Sequence, residues 1–218
     1  MNSRLHIWTI GMERSDIEGF CFRTSSRFNS ADYASASPTI SSIYIRSLPS
    51  ETWVSDDTSG TNKKSRTTFE YDNYSTDSNH AALTYRSSIS GLDSAFTTSY
   101  TTRGNATAVT RWLLPRTAIT TYQQYDIAGN PVKIKDARGY ETIAEYDDRF
   151  GSPNGEARAN SGATKLGSQT SYAFATKVTN ALSQSVYSQF DFYTGRAVDG
   201  EDINGIVTSG TSASATCI

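Results

Sequence analysis

The chain predicts an all-β fold, with repeated antiparallel β-hairpins forming a twisted, partly open sheet. Three observations carry this. Turn signals recur at short intervals from about residue 60 onward, with runs of β-forming residues between them. The composition holds 13 Tyr, 9 Phe and 15 Gly with only 36% hydrophobic residues, where a helical bundle would want more Leu and Ala. A unit of the sequence also returns in register with a period near 22 residues, and such repeats decide a fold before any local reading does.

The unit is clearest between Tyr122 and Tyr146. Ala128-Gly129-Asn130-Pro131 and Asp136-Ala137-Arg138-Gly139 are turn signals, and between them Val132 and Ile134 alternate with Lys133 and Lys135. Alternation of this kind marks a half-buried strand, and Gly, Asn and Asp supply the turn geometry on either side. Counted from Gly129, Asp136 stands at +7 and Gly139 at +10; counted from Gly195, Asp202 stands at +7 and Gly205 at +10. Asp136 to Tyr146 and Asn180 to Phe190 each span ten positions. Gly129 and Gly151 lie 22 apart, and Asp136 and Asn180 lie 44 apart.

An aromatic-Asp pair precedes each glycine: Tyr125-Asp126 before Gly129, Tyr146-Asp147 before Gly151, and Phe190-Asp191 before Gly195. The third pair keeps the ring and loses the hydroxyl. Two weaker echoes lie upstream. Tyr71-Asp72 has no glycine after it, and Tyr100-Thr-Thr-Arg-Gly104-Asn105 has Thr101 where the Asp belongs. At these residues the chain resembles the Rhs or YD-repeat family, over roughly residues 66 to 210. The resemblance implies hairpins that wind into a large hollow shell. In bacterial toxins of this type the shell encloses a C-terminal effector, and in cell-surface relatives it serves adhesion.

Taken in order, residues 1–60 are irregular, with one or two edge strands. Ile40 to Leu48 is one candidate, and Asp56 to Gly60 is a turn or linker. Residues 61–210 are the repeat sheet. Strands are expected at Lys64–Tyr74, Leu83–Tyr85, Phe96–Tyr100 and Thr107–Leu114, then through the Tyr122–Tyr146 unit. Pro153 and Asn154-Gly155 mark a turn-rich insertion at 151–170. Strand patterning resumes at Tyr172 and runs to Thr208, with Ala173–Val178 the one place where a short helix is the alternative. Residues 211–218 form a frayed tail.

The net charge of −2 leaves no electrostatic footprint for nucleic acid. The basic cluster Lys63, Lys64 and Arg66 reads as a solvated loop. No apolar run reaches the ~20 residues that a membrane span requires, and the N-terminus shows no signal peptide, which the parent of a secreted or cell-surface protein would carry upstream. Cys21 and Cys217 read as two free thiols.

A phenol beside a carboxylate is a conceivable acid/base couple, but its repetition argues for architecture: a ring packs and an Asp caps a turn. Asp147-Asp148 and Glu201-Asp202 would point to opposite faces of a strand, so neither pair can grip one substrate. Glu156 and Arg158 lie where a loop could bind a ligand. His6 and His80 lack partners at metal-ligand spacing, and no phosphate loop or nucleophile elbow is present. Asn73-Tyr-Ser75 and Asn105-Ala-Thr107 match the glycosylation acceptor pattern, which recurs by chance in a Ser/Thr-rich chain.

The expectation is a structural repeat segment without catalysis or cofactor. Its partners would be the remainder of the array or an encapsulated effector. Two further classes stay open: a carbohydrate-binding module that uses Trp112 and the tyrosines as stacking surfaces, and a polysaccharide-acting enzyme fragment.

Overall fold

The computed structural model describes residues 23–28, 48–55, 63–113, 117–159 and 170–210. Its strands are β1 (Arg23–Phe28), β2 (Pro49–Ser55), β3 (Lys63–Tyr71), β4 (Ala106–Leu113), β5 (Thr117–Tyr125), β6 (Pro131–Lys135), β7 (Glu141–Glu145), β8 (Lys177–Thr179), β9 (Ser185–Phe190), β10 (Ala197–Glu201) and β11 (Val207–Ser209). They form one 11-stranded sheet in strict chain order. Every neighbouring pair is antiparallel. The sheet is open, with β1 and β11 at its edges. No helix occurs among the described residues, so none is long and apolar enough to cross a membrane. Ala173–Val178, where a short helix was the alternative, forms no helix, and its last two residues open β8.

Register fixes which side chains share a face, because they alternate along each strand. Glu70, Ala108, Tyr122, Lys135 and Glu141 stand in one cross-strand row. Glu145, Lys177, Tyr187, Glu201 and Val207 stand in another row on the same face. The opposite face carries Phe69 beside Val109, then Gln123 beside Ile134, and Ala144 beside Val178 and Val186. One face of the meander is therefore charged and the other nearly free of charge.

Two excursions leave this ladder at the same end of the sheet. The first connects β3 to β4 through residues 72–105, and the second connects β7 to β8 through residues 146–176. The second contains the turn-rich stretch read from the sequence. The first was expected to hold strands at Leu83–Tyr85 and Phe96–Tyr100. It holds neither: Thr84 makes one isolated parallel bridge to Asp126, and Phe96 to Tyr100 is a series of turns. Leu83 is buried because it packs with Tyr125 and Ile127 over the end of the sheet, with Tyr74, Ile89 and Leu92 around them. Hydrophobic burial needs no ladder, and a β-forming composition cannot tell the two apart.

The basic cluster also differs from expectation. Lys63 and Arg66 lie in β3, not in a solvated loop, and both pair with Glu51 of β2. Lys63 lies 4.7 Å from the Trp53 ring centre, and the Arg66 guanidinium lies 5.0 Å from that of Trp112. The Ile40–Leu48 strand lies, except for Leu48, outside the described residues, as do His6, Cys21, Cys217 and the 211–218 tail.

Candidate functional site

The Tyr-Asp units and their turns are the candidate site. Asp126, Asp136, Asn180 and Asp202 each open one kind of five-residue turn. At Asp126 the backbone N–H of Gly129 donates to the Asp126 carbonyl at 3.0 Å, and the N–H of Asp126 donates to the Asn130 carbonyl at 3.0 Å. The Asp126 Oδ1 accepts the N–H groups of Ala128 and Asn130 at 3.0 and 2.9 Å. The same bonds recur with Arg138 and Tyr140 on Asp136, Leu182 and Gln184 on Asn180, and Asn204 and Ile206 on Asp202. This is a three-residue hairpin loop whose last residue is left-handed, which glycine adopts freely. Gly129, Gly139 and Gly205 have φ of 88°, 88° and 79°, and Ser183 fills the fourth place at 61°. Asp191 opens a turn one residue longer, capped by the N–H groups of Tyr193 and Thr194, with Gly195 at φ 67°.

The tyrosines perform a second repeated act. The hydroxyl of Tyr71 donates to the carbonyl of Pro49 at 3.0 Å. That of Tyr125 donates to Ala106 at 3.0 Å, and that of Tyr146 to Pro131 at 3.2 Å. Each acceptor is the first residue of the preceding strand, so each tyrosine ties the end of one strand to the start of its neighbour. Phe190 has no hydroxyl to offer; its ring stacks on Phe174 instead, with centres 4.6 Å apart and 15° between planes.

Tyr71-Asp72 and Arg103-Gly104-Asn105, read as two weak echoes, are one unit. Asp72 N–H donates to the Asn105 carbonyl at 2.9 Å, as Asp126 does to Asn130. The Asp72 carboxylate accepts the N–H groups of Arg103, Gly104 and Asn105 at 2.9, 2.7 and 2.9 Å. The 73–102 excursion is thus inserted inside a Tyr-Asp turn, between the Asp and its glycine, and the turn still closes.

At Tyr146-Asp147-Asp148 the expected capping residue is displaced by one. Asp147 is exposed, 3.8 Å from Arg149 at its nearest. Asp148 does the capping, accepting Ser171 N–H and Oγ–H at 2.8 Å and Tyr172 N–H at 2.9 Å. Gly151 is no turn glycine either. It is buried with an ordinary φ, and a Cβ there would collide with the Gln189 amide. Its N–H donates to the Phe190 carbonyl at 3.0 Å, within a parallel bridge from Phe150 to Phe190. That bridge matches the one from Thr84 to Asp126, so each excursion docks on the turn of the hairpin that follows it.

No sequence motif points to the role of the residues that fasten the excursions. Arg86 donates to the fully buried Asp126 carboxylate at 3.0 Å and lies over the Tyr172 ring. Arg103 spends its guanidinium on three carbonyls, those of Tyr100, Thr97 and Ile127. Gln189, fully buried, donates to the carbonyls of Glu156 and Ala159. Beneath the same loop Asp199 accepts Asn154 N–H at 3.1 Å. Arg86 and Gln189 sit far in sequence from the groups they hold, and Arg103 reaches Ile127, 24 residues on, besides its near neighbours.

Burial and turn hydrogen bonds set the electrostatics of the site. Burial pushes the phenols of Tyr71, Tyr125 and Tyr146 up, the charge of Asp72 adding at Tyr125 and that of Asp126 at Tyr146. The Thr194 backbone N–H, then its hydroxyl, hold Asp191 below the usual carboxylate range, and the Ile206 N–H does so for Asp202. Arg158 is an anchor: its Nε donates to Glu201 at 2.6 Å and its guanidinium lies 4.1 Å from the Tyr187 ring centre. Glu201-Asp202 is therefore split between an ion pair and a turn. His80 is buried with partners on both ring nitrogens, Glu70 at 2.8 Å and Asp77 at 2.9 Å. Among the described residues no His, Cys, Asp and Glu group is placed to hold a metal. Trp112, the candidate stacking surface of the carbohydrate-binding alternative, is half-buried with Arg66 over its ring. Both glycosylation-type sites are engaged internally, Asn105 donating to the Tyr74 hydroxyl at 2.9 Å and Asn73 accepting Ser75 N–H. A hollow of about 310 Å³ between Phe96, Tyr100, Arg103 and Gly129 is wide open to solvent.

No family model matches the chain, and no curated protein matches it.

Proposed function

We propose that the chain is a structural segment of a Rhs/YD-repeat shell, in which Tyr-Asp units close and link hairpins without catalysis. The observation that carries this reading is the repeated pair of bonds: Tyr hydroxyl to the preceding strand's first carbonyl, and Asp carboxylate to the N–H groups of its own turn. The first unit closes its turn even across a long insertion between its Asp and its glycine, which fits a part whose task is to close a hairpin. The nearly uncharged face is suited to an enclosed interior, with an effector or the rest of the array as its partner, in a secreted or surface-exposed parent.

The experiment is to read the transcript on both sides of the segment that encodes this chain. Further in-frame Tyr-Asp-x-x-Gly units support the reading. Flanking in-frame domains of another class, with no such units, contradict it.

A further inference from the structure

Tyr172 is a bulky residue in the left-handed region, at φ 50°. Side chains disfavour that region, and a residue persists there only while its surroundings fix it. Every group of Tyr172 is fixed from another part of the chain. Its N–H donates to Asp148, near the start of the second excursion, at 2.9 Å. Its carbonyl accepts the Asn130 side-chain amide, from the Asp126 turn, at 2.8 Å. Its hydroxyl donates to the Ser87 carbonyl of the first excursion at 3.2 Å, and the Arg86 guanidinium stands 5.1 Å from its ring centre. Close by, the two excursions bond each other directly. Ser90 N–H donates to the Thr170 carbonyl at 2.8 Å, and Thr170 N–H donates to the Ser90 hydroxyl oxygen at 3.0 Å.

The groups that hold Tyr172 have a second task. The Asn130 amide and Arg86 also donate to the buried Asp126 carboxylate, and the first excursion buries Leu83 against Tyr125 and Ile127. We propose that Tyr172 is a strained latch through which the two excursions open and close as one lid over the Asp126 turn. Losing one hold lets the backbone relax to an ordinary negative φ. That rotation turns the carbonyl and the ring relative to the N–H, so a relaxed Tyr172 cannot keep Asp148, Asn130 and Ser87 at once. The remaining holds are then lost together, which gives the lid two discrete arrangements and not a graded loosening. Opening frees Arg86 from the Tyr172 ring and uncovers the Leu83, Tyr125 and Ile127 cluster, while the strand ladder stays paired. The inference is independent of the shell reading, since it concerns how the excursions move and not what the array encloses.

The test is native-state hydrogen exchange of the full chain in low urea. Five bonded amides report on the lid: Thr84 and Ser90 in the first excursion, Ile127 in the turn, and Ser171 and Tyr172 in the second excursion. They should share one opening free energy and one urea slope, both below those of the β4 and β5 amides. Asp148→Ala removes the cap on Ser171 and Tyr172 within the second excursion. It should speed exchange about tenfold or more at all five amides, Thr84 and Ser90 included, and leave β4 and β5 protected. Acceleration confined to Ser171 and Tyr172 would overturn the proposal. So would separate openings for the two excursions in the unmodified chain, or five amides that exchange only with β4 and β5. Should Asp148→Ala deprotect β4 and β5 as well, the urea dependence of the unmodified chain decides alone.

Discussion

Asp126 and Asp136 open turns of the same geometry in very different surroundings, so the same substitution should cost very different amounts. Asp126 has no exposed surface. Its carboxylate accepts Ala128 N–H, Asn130 N–H, the Asn130 amide at 3.2 Å and Arg86 Nε at 3.0 Å. The Arg86 side chain is only 16% exposed. Asp126→Ala leaves that guanidinium buried without its counter-charge, an effect worth about 3–5 kcal/mol. Asp136 is exposed, and its carboxylate caps only Arg138 and Tyr140 N–H groups that water can reach. Asp136→Ala should cost about 1 kcal/mol. For a chain of this size 1 kcal/mol moves the melting temperature by about 2–4 °C. The expected losses are then about 6–20 °C for Asp126→Ala and about 2–4 °C for Asp136→Ala. Thermal unfolding followed by circular dichroism measures both. Equal losses would refute the argument that the Arg86–Asp126 contact clamps the first excursion onto the sheet.

Removing the hydroxyl by Tyr71→Phe, Tyr125→Phe or Tyr146→Phe should cost about 0.5–1.5 kcal/mol each in urea denaturation, and a zero cost at all three would remove the tyrosines from the repeat. Gly139→Val should lower the unfolding free energy in urea by about 1 kcal/mol or more through its φ of 88°, whereas Lys133→Val forfeits only a surface ion pair with Glu141; matching midpoints would contradict the turn assignment. Gly151→Ala should also destabilise, by about 1–3 kcal/mol, but through collision with Gln189 and not through backbone strain, so the same substitution should cost less when it is made in a Gln189→Ala background than in the parent chain. Because burial raises the phenols of Tyr71, Tyr125 and Tyr146 above their ordinary 10.0, the unfolded chain ionises first; stability should be intact below pH 10 and fall as pH rises through it. A urea midpoint unchanged from pH 9 to 11 would contradict that burial.

Contiguous turns were legible in the sequence because all their chemistry sits within five residues. Asp126 to Asn130, Asp136 to Tyr140 and Asp202 to Ile206 carry both the cap and the left-handed glycine, and the all-β fold follows from their spacing. Units whose parts are far apart were not. Asp72 and Gly104 are 32 residues apart, so the first read as an aromatic-Asp pair with no glycine and the second as a glycine with no Asp. Leu83 and Phe96 have strand-like neighbours, but Leu83 packs on the end of the sheet and Phe96 lies among turns against Tyr100, which alternation over a few residues cannot reveal. Asp147 and Asp148 are adjacent carboxylates, and only the returning Ser171-Tyr172 segment decides which one caps. Lys63 and Arg66 resembled a solvated run because their shared partner, Glu51, comes from another strand.

The claim that most of this depends on is that Tyr71-Asp72 and Gly104-Asn105 form one closed turn. Native-state hydrogen exchange tests it residue by residue. The amides of Gly104 and Asn105 should be protected to a degree comparable with Ala128 and Asn130, which occupy the contiguous turn. In Asp72→Ala the first two should lose protection while Ala128 and Asn130 keep theirs. Exchange of Gly104 and Asn105 at open-chain rates in the unmodified protein would mean that the two segments do not meet, and that the repeat is confined to the contiguous units.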